Sequence, residues 1–178
     1  MAWTTPQTWV DGNVLTAAEL NEQVRDNLNF LFSKPGDNYV MNEAADYTTT
    51  STLFVDVDAT NLALTITTGG GDVLIWFNGV MSGTGTPSYL SVDVLLDGSR
   101  LAGDDGILTL GSNNNGIISQ YQGDKWQNMG FAYLKTGLSA GSHTFKLQWK
   151  VSTGTATLYA GAATTYFDIH PQFGVKEL

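Results

Sequence analysis

The chain contains no cysteine among its 178 residues. That removes disulfides, thiolate metal sites and cysteine nucleophiles together, and leaves the redox compartment undetermined. Basic residues are scarce, with 8 Lys and Arg against 17 Asp and Glu, for a net charge of −9. Between Lys34 and Lys125 the one basic residue is Arg100. Nucleic-acid binding requires clustered cations that release counterions from phosphates, so nucleic acid is excluded as a partner. An anionic membrane surface is excluded for the same reason. No apolar run approaches the roughly 18–20 residues of a membrane span. The segment Met1-Ala2-Trp3-Thr4-Thr5-Pro6 has neither a positive charge nor an apolar core, so it does not read as a secretory signal.

What is present is enough apolar material for a core, 42% hydrophobic and 11% aromatic, and disorder of the bulk is not expected despite 20 glycines. Local signals for one helix are concentrated near the N-terminus. Thr16 and Glu19 have the S/T-x-x-E spacing of a capping box, and Leu15 and Leu20 occupy the positions of a hydrophobic staple. The predicted helix covers about residues 17–33 and ends at Ser33-Lys34-Pro35-Gly36, with a cation in the last turn and a Pro-Gly break. Its apolar stripe is Ala17, Leu20, Val24, Leu28 and Leu31. At strict heptad spacing the seam reads Ala17, Leu20, Val24, Asn27, Leu31, and a polar Asn27 in such a seam sets register and oligomeric state. Two readings stand for this face: it packs on the β region of its own chain, or it packs on other copies. A helix this short is marginal alone in water and needs a partner either way. The preceding residues 1–14 read as an extended arm. Trp3 and Trp9 either cover the chain's own helix or insert into a larger assembly, Trp being a common interface anchor.

From about residue 37 the periodicity changes to two. Leu53, Val55 and Val57 alternate with Phe54, Asp56 and Asp58, and Leu62, Leu64 and Ile66 alternate with Ala63, Thr65 and Thr67. Val73-Leu74-Ile75-Trp76-Phe77 is apolar on both faces, as in a central strand. Leu90, Val92, Val94 and Leu96 lead into Asp97-Gly98, a hairpin signal. Phe145, Leu147, Trp149 and Val151 alternate with Thr144, Lys146, Gln148 and Lys150. Shorter candidates lie at about 107–110, 116–121, 129–135, 155–160 and 165–170. Eight to ten short strands with regular turn signals, and no βαβ rhythm, predict a mainly β fold: an antiparallel β-sandwich or jelly roll over 37–178, preceded by one helix within 1–36. The glycine- and asparagine-rich stretches 103–106 and 111–116 read as an exposed end of the sandwich.

Few residues carry recognisable chemistry. His143 and His170 sit at strand edges with no nucleophile elbow or telling acid, so neither is assigned a catalytic role and the chain is not read as an enzyme. Asp56 and Asp58 share a strand face near Asn61. They read as a solvated face or as oxygen ligands for calcium, without the closing glycine and glutamate of an EF-hand loop. Asp104-Asp105 reads as a turn, and no carboxylate pair can be selected for glycosidase chemistry. No metal or cofactor is assigned. Tyr89, Tyr121 and Trp126 lie in loops or at strand ends beside amides and carboxylates, a pattern suited to saccharide contact. The competing reading is that they cover the core or a subunit seam.

The string Thr8-Trp9-Val10-Asp11-Gly12-Asn13-Val14-Leu15-Thr16-Ala17-Ala18-Glu19-Leu20-Asn21, followed by Val24-Arg25-Asp26-Asn27-Leu28, resembles the N-terminal signature of bacteriophage and prophage virion proteins. The likeness covers about residues 3–31. The stretch Gly137-Leu138-Ser139-Ala140-Gly141-Ser142-His143-Thr144-Phe145-Lys146-Leu147-Gln148-Trp149 is similar to the jelly-roll heads of trimeric phage fibre and spike proteins, themselves similar in outline to complement-globular and tumour-necrosis-factor-like heads. The resemblance implies a virion surface protein made in the host cytoplasm, commonly trimeric. Leu20, Val24, Asn27, Leu28 and Leu31 would serve oligomerisation. Trp3 and Trp9 would dock to other virion proteins, and Tyr89, Tyr121 and Trp126 would meet a host-surface glycan or protein. A capsid decoration or head-fibre protein without a receptor, and a monomeric carbohydrate-binding module, are the alternatives.

Overall fold

The computed structural model describes residues 4–85, 88–102, 116–161 and 169–178. Trp3, Asp104, Asp105, the candidate strand 107–110 and most of 165–170 lie outside them. The helix begins as Thr16 predicts. Thr16 is extended, its Oγ1 accepts the Glu19 N–H at 3.2 Å, and Glu19 Oε2 accepts the Thr16 N–H at 2.8 Å. That reciprocal pair satisfies two donors that the first turn leaves open. The helix runs α-helical over Ala17–Leu20, widens to a π-helical segment over Asn21–Asp26 and closes as α-helix over Asn27–Phe32. At about 1.5 Å per residue it is about 24 Å long.

Among the described residues twelve strands follow in two antiparallel sheets: β1 Gly36–Val40, β2 Tyr47–Thr49, β3 Val55–Asp56, β4 Ala63–Thr68, β5 Gly71–Gly83, β6 Tyr89–Leu96, β7 Ser99–Arg100, β8 Ile118–Tyr121, β9 Gln127–Leu138, β10 Gly141–Val151, β11 Ala156–Leu158 and β12 Gln172–Glu177. The fold is an antiparallel β-sandwich of jelly-roll class with one N-terminal helix. In the first sheet the long β5 is central. It pairs β9 along one edge, and on the other it pairs β12 and then β11, with β1 and β2 outside them. In the second sheet β10 lies between β6 on one side and β3 and β4 on the other, and β6 carries β7 and β8 on its outer edge.

The alternating residues predicted for the core are buried between the sheets. Leu64 and Ile66 of β4, Val73, Ile75 and Phe77 of β5, Leu90, Val92 and Val94 of β6, and Phe145, Leu147, Trp149 and Val151 of β10 form one cluster, joined by Phe173 and Val175 of β12. The Asp97-Gly98 hairpin is present, with φ of 49° and 88° at the two turn residues, the left-handed geometry that suits Asp-Gly between twisted strands.

Two predictions need correcting. The alternation from Leu53 to Asp58 does not form a strand of that length, because only Val55–Asp56 pair with β10, at its edge. Leu53 is exposed rather than inward. The Ser51 hydroxyl donates to the Leu53 carbonyl on one side, and Asp58 caps the Thr60 and Asn61 N–H groups on the other, so local turns limit the ladder. Strand β12 lies beside the central strand, although the sequence reading assigned no strand to 172–177.

Candidate functional site

The N-terminal arm is tied to the helix by two side-chain amides spaced four residues apart. Asn27 Oδ1 accepts the Thr4 N–H at 2.9 Å, and Asn27 Nδ2 donates to the Thr4 carbonyl at 3.0 Å. Gln23 Oε1 accepts the Gln7 N–H at 2.8 Å. One helix face thereby imitates the edge of a sheet for an extended segment, and Asn27 is buried by it. Asn27 is thus engaged by the arm of its own chain, which separates it from the apolar stripe with which heptad spacing grouped it.

The stripe itself is not buried by the rest of the chain. Leu20, Val24, Leu28 and Leu31 retain 50, 47, 46 and 52% of their exposure, and Trp9, Val10, Val14, Leu15 and Phe32 are exposed as well. Both readings of this face and of Trp9 as cover for the chain's own surfaces are therefore incomplete within a single chain.

The helix is anchored at its C-terminal end. Glu177, the last residue of β12, is buried and accepts from Lys34 Nζ and from the Gly69 N–H, each at 3.0 Å. The Lys34 ammonium also lies 4.1 Å from the centre of the Phe30 ring, and the neighbouring Lys176 donates to the Lys34 carbonyl. Gly69 gives the ring room: a Cβ at that position would lie 2.8 Å from Phe30 Cε2, so a larger residue would have to displace Phe30. A cavity of about 390 Å³ opens at this joint, walled by Phe30, Lys34, Thr68, Gly69 and Glu177 among others.

The other predicted site residues occupy different places. Tyr89 and Tyr121 are register partners across β6 and β8, with ring centres 5.6 Å apart in an edge-to-face pair. Trp126 stands edge-to-face with Tyr159 at 5.8 Å, and the Tyr159 hydroxyl meets Ser82 Oγ. All three predicted rings are partly exposed, at the end of the sandwich away from the helix. The Asp56 and Asp58 carboxylates do not converge. Asp56 accepts from Lys146 Nζ and Gln148 Nε2, while Asp58 accepts from the Tyr47 hydroxyl and from Thr60 and Asn61. Burial raises the Asp58 pKa, but these donors outweigh it and hold the carboxyl below its usual value. Neither the solvated face nor the calcium reading describes them. Among the described residues no group of three His, Asp or Glu side chains could hold a metal.

His143 joins two turns. Its Nδ1 lies 2.6 Å from Asp97 Oδ2 and its Nε2 lies 3.0 Å from the Ser139 carbonyl. Both partners are acceptors, so both contacts are made together only by the doubly protonated ring. The Asp97 contact accordingly raises the His143 pKa, against burial. His170 Nδ1 donates to the Met41 carbonyl at 2.9 Å. In β6, Asp93 is buried and burial raises its pKa, offset by N–H donors from Val94 and Ala102 and by Arg100 3.4 Å away.

The sequence reading did not single out Gln23, Phe30 or Glu177, and it read Lys34 as a cation at the helix end without its partner Glu177. The i, i+4 spacing of Gln23 and Asn27 was a visible signal for the arm clamp. Nothing local marks Glu177, whose partners are 108 and 143 residues away.

No protein-family model matches the chain, and no curated protein matches it. Among solved structures it is similar to the D431N mutant VP2 protein of infectious bursal disease virus from T=1 particles, at 10% identity and a TM-score of 0.36, over 80% of this chain and 39% of that one. The VP2 subviral particle of the same virus gives 8% identity and a TM-score of 0.36, over 82% of this chain and 38% of the other. A family 35 carbohydrate-binding module from an environmental isolate gives 16% identity and a TM-score of 0.28, over 75% and 91%. The chain spans about two fifths of the VP2 chains. Likenesses at this level carry no argument about function.

Proposed function

We propose that this protein is a surface component of a bacteriophage virion, in which the arm docks to other virion proteins, the helix associates with two further copies, and the sandwich is displayed for attachment to the host. The observation that carries this reading is the helix stripe: four apolar side chains in helical register, half exposed, on an element anchored to its head at one end. An isolated helix of this length is marginal in water, and apolar packing against neighbouring helices would cover the stripe. The N-terminal string from Thr8 to Leu28 supports the virion assignment. Three heads on one stalk would convert weak contacts into avidity through effective concentration.

Light scattering with mass determination on the intact chain tests it. The expected mass is three times the 19.2 kDa of one chain, falling to one chain in the Val24→Glu, Leu28→Glu double variant. A monomer at micromolar concentration in the unaltered protein overturns the trimer.

A further inference from the structure

Among the described residues β8 and β9 are edge strands of different sheets, and between them lies a cleft of about 290 Å³ lined by Ile118, Ser119, Gln120, Asn128 and Gly130. Its position follows from register. The helix joint lies near Leu74, which pairs with Lys176, whereas Gln127 pairs with Met81. Seven residues of extended chain separate those levels, about 23 Å at 3.3 Å per residue. The cleft therefore opens toward the end of the molecule away from the arm and helix.

Its chemistry is specific. None of the five lining residues is ionisable, in a chain of net charge −9. The Ser119 hydroxyl is engaged by Ser91 Oγ at 2.9 Å. The side-chain amides of Gln120 and Asn128 make no hydrogen bond to any described residue, so each offers a carbonyl and two N–H donors to whatever enters. The two walls join through the turn 122–126, which carries Tyr121 at one shoulder and Trp126 at the other, both exposed. Beside Tyr121, Gln122 is fully buried with both amide atoms unpartnered, a polar cost that this turn bears.

We propose that the β8–β9 cleft binds a neutral pyranose of an oligosaccharide, with the Gln120 and Asn128 amides on its hydroxyls. Planar amides match vicinal hydroxyls as paired donor and acceptor. The absence of charged groups in the lining favours a neutral ligand, because a carboxylate or sulfate would find no cation there. The volume is at the small end of ligand sites, about 300 Å³, and suits one ring. Tyr121 and Trp126 offer apolar ring surface to neighbouring units of the chain. This deepens the attachment reading by naming the ligand chemistry, and rests on that reading for its biological purpose.

The test is titration of the intact, isotope-labelled protein with cellohexaose, maltohexaose and chitohexaose, following side-chain amide and indole N–H resonances. At least one sugar should shift the Gln120 and Asn128 amides and the Trp126 indole, assigned by the Trp126→Phe variant. Gln120→Ala and Asn128→Ala should each weaken binding by about tenfold, the loss of one or two hydrogen bonds. Leu134→Ala, on the exposed face of the same strand β9, should leave it unchanged. Absence of shifts with all three sugars, or binding that survives the Gln120→Ala, Asn128→Ala double variant, overturns the assignment. The mass of the same sample reports separately on assembly, so loss of sugar binding in an intact trimer counts against the cleft alone.

Discussion

The helix and strand β10 are equally periodic, and they reach opposite ends. In β10, Phe145, Leu147, Trp149 and Val151 are essentially excluded from water, because the facing sheet supplies Phe77, Phe173 and Val175 within the same chain. In the helix, Leu20, Val24, Leu28 and Leu31 keep about half of their exposure. A period of 3.6 or of two says that a face requires cover, without saying which molecule provides it. The sandwich finds its cover by folding, whereas the helix spends its polar face on its own arm and leaves its apolar face open.

That contrast can be tested by attacking each region in turn. The largest effect belongs to the sandwich. Trp149→Ala removes a fully buried indole and should cost about 3–5 kcal/mol in chemical denaturation, enough to unfold much of a marginal domain. A loss under 1 kcal/mol would mean that the core does not depend on β10. By contrast, Leu28→Glu should leave the unfolding free energy of the sandwich within about 0.5 kcal/mol of the parent, since its side chain is 46% exposed and lies outside the core cluster. A large shift at micromolar concentration, vanishing on dilution, would instead tie the head's stability to helix association.

The joint between the regions should show an intermediate effect. Glu177→Gln keeps the size of the side chain but removes the charge that meets Lys34, and should cost about 1–3 kcal/mol because the group is buried. Hydrogen exchange should quicken in residues 27–34 before it does in β10, and uniform acceleration across both would deny the joint a local role. Smallest is the pH dependence of the His143–Asp97 pair. His143 is raised above its ordinary value, so its contribution is complete below about pH 6.5 and fades as pH rises through the folded value. Asp97 is pulled below its ordinary value; burial opposes this, but His143 and the Thr144 N–H prevail. Its contribution is complete above about pH 3.9 and fades as pH falls through the folded value. The pair should therefore stabilise most between about pH 4 and 6.5, by less than about 1 kcal/mol since Asp97 is half exposed. In His143→Gln the neutral-side decline of the stability curve should flatten, and an unchanged curve would show that other groups set it.

Much of the fold was readable along the chain. The capping box at Thr16, the alternation through β4, β5, β6 and β10 and the Asp97-Gly98 turn all depend on residues a few positions apart. The failures have the same explanation in reverse. Leu53 and Val55 alternate correctly but lie at an edge where Ser51 and Asp58 turn the chain. Phe173 and Val175 also alternate, yet β12 is short and interrupted by Gly174, so its central place came only from pairing with β5. The candidate site was less legible than the fold. Asn27 stood out as a polar residue in a heptad seam, and its actual partner is the Thr4 backbone. Gln120 and Asn128 were passed over for the neighbouring rings, because two amides on strands of different sheets have no shared sequence signal.

By itself, then, the sequence determined where the helix starts, which residues of β4, β5, β6 and β10 face inward, and a net charge of −9. These are short-range or summed properties. Only the tertiary structure decided that Glu177 locks the helix to the head, that the arm occupies Asn27 and frees the apolar stripe, and that β8 and β9 meet across a neutral cleft. Lys34 and Glu177 meet across 143 residues of chain, and the approach of β8 to β9 from different sheets depends on how the described strands share one core.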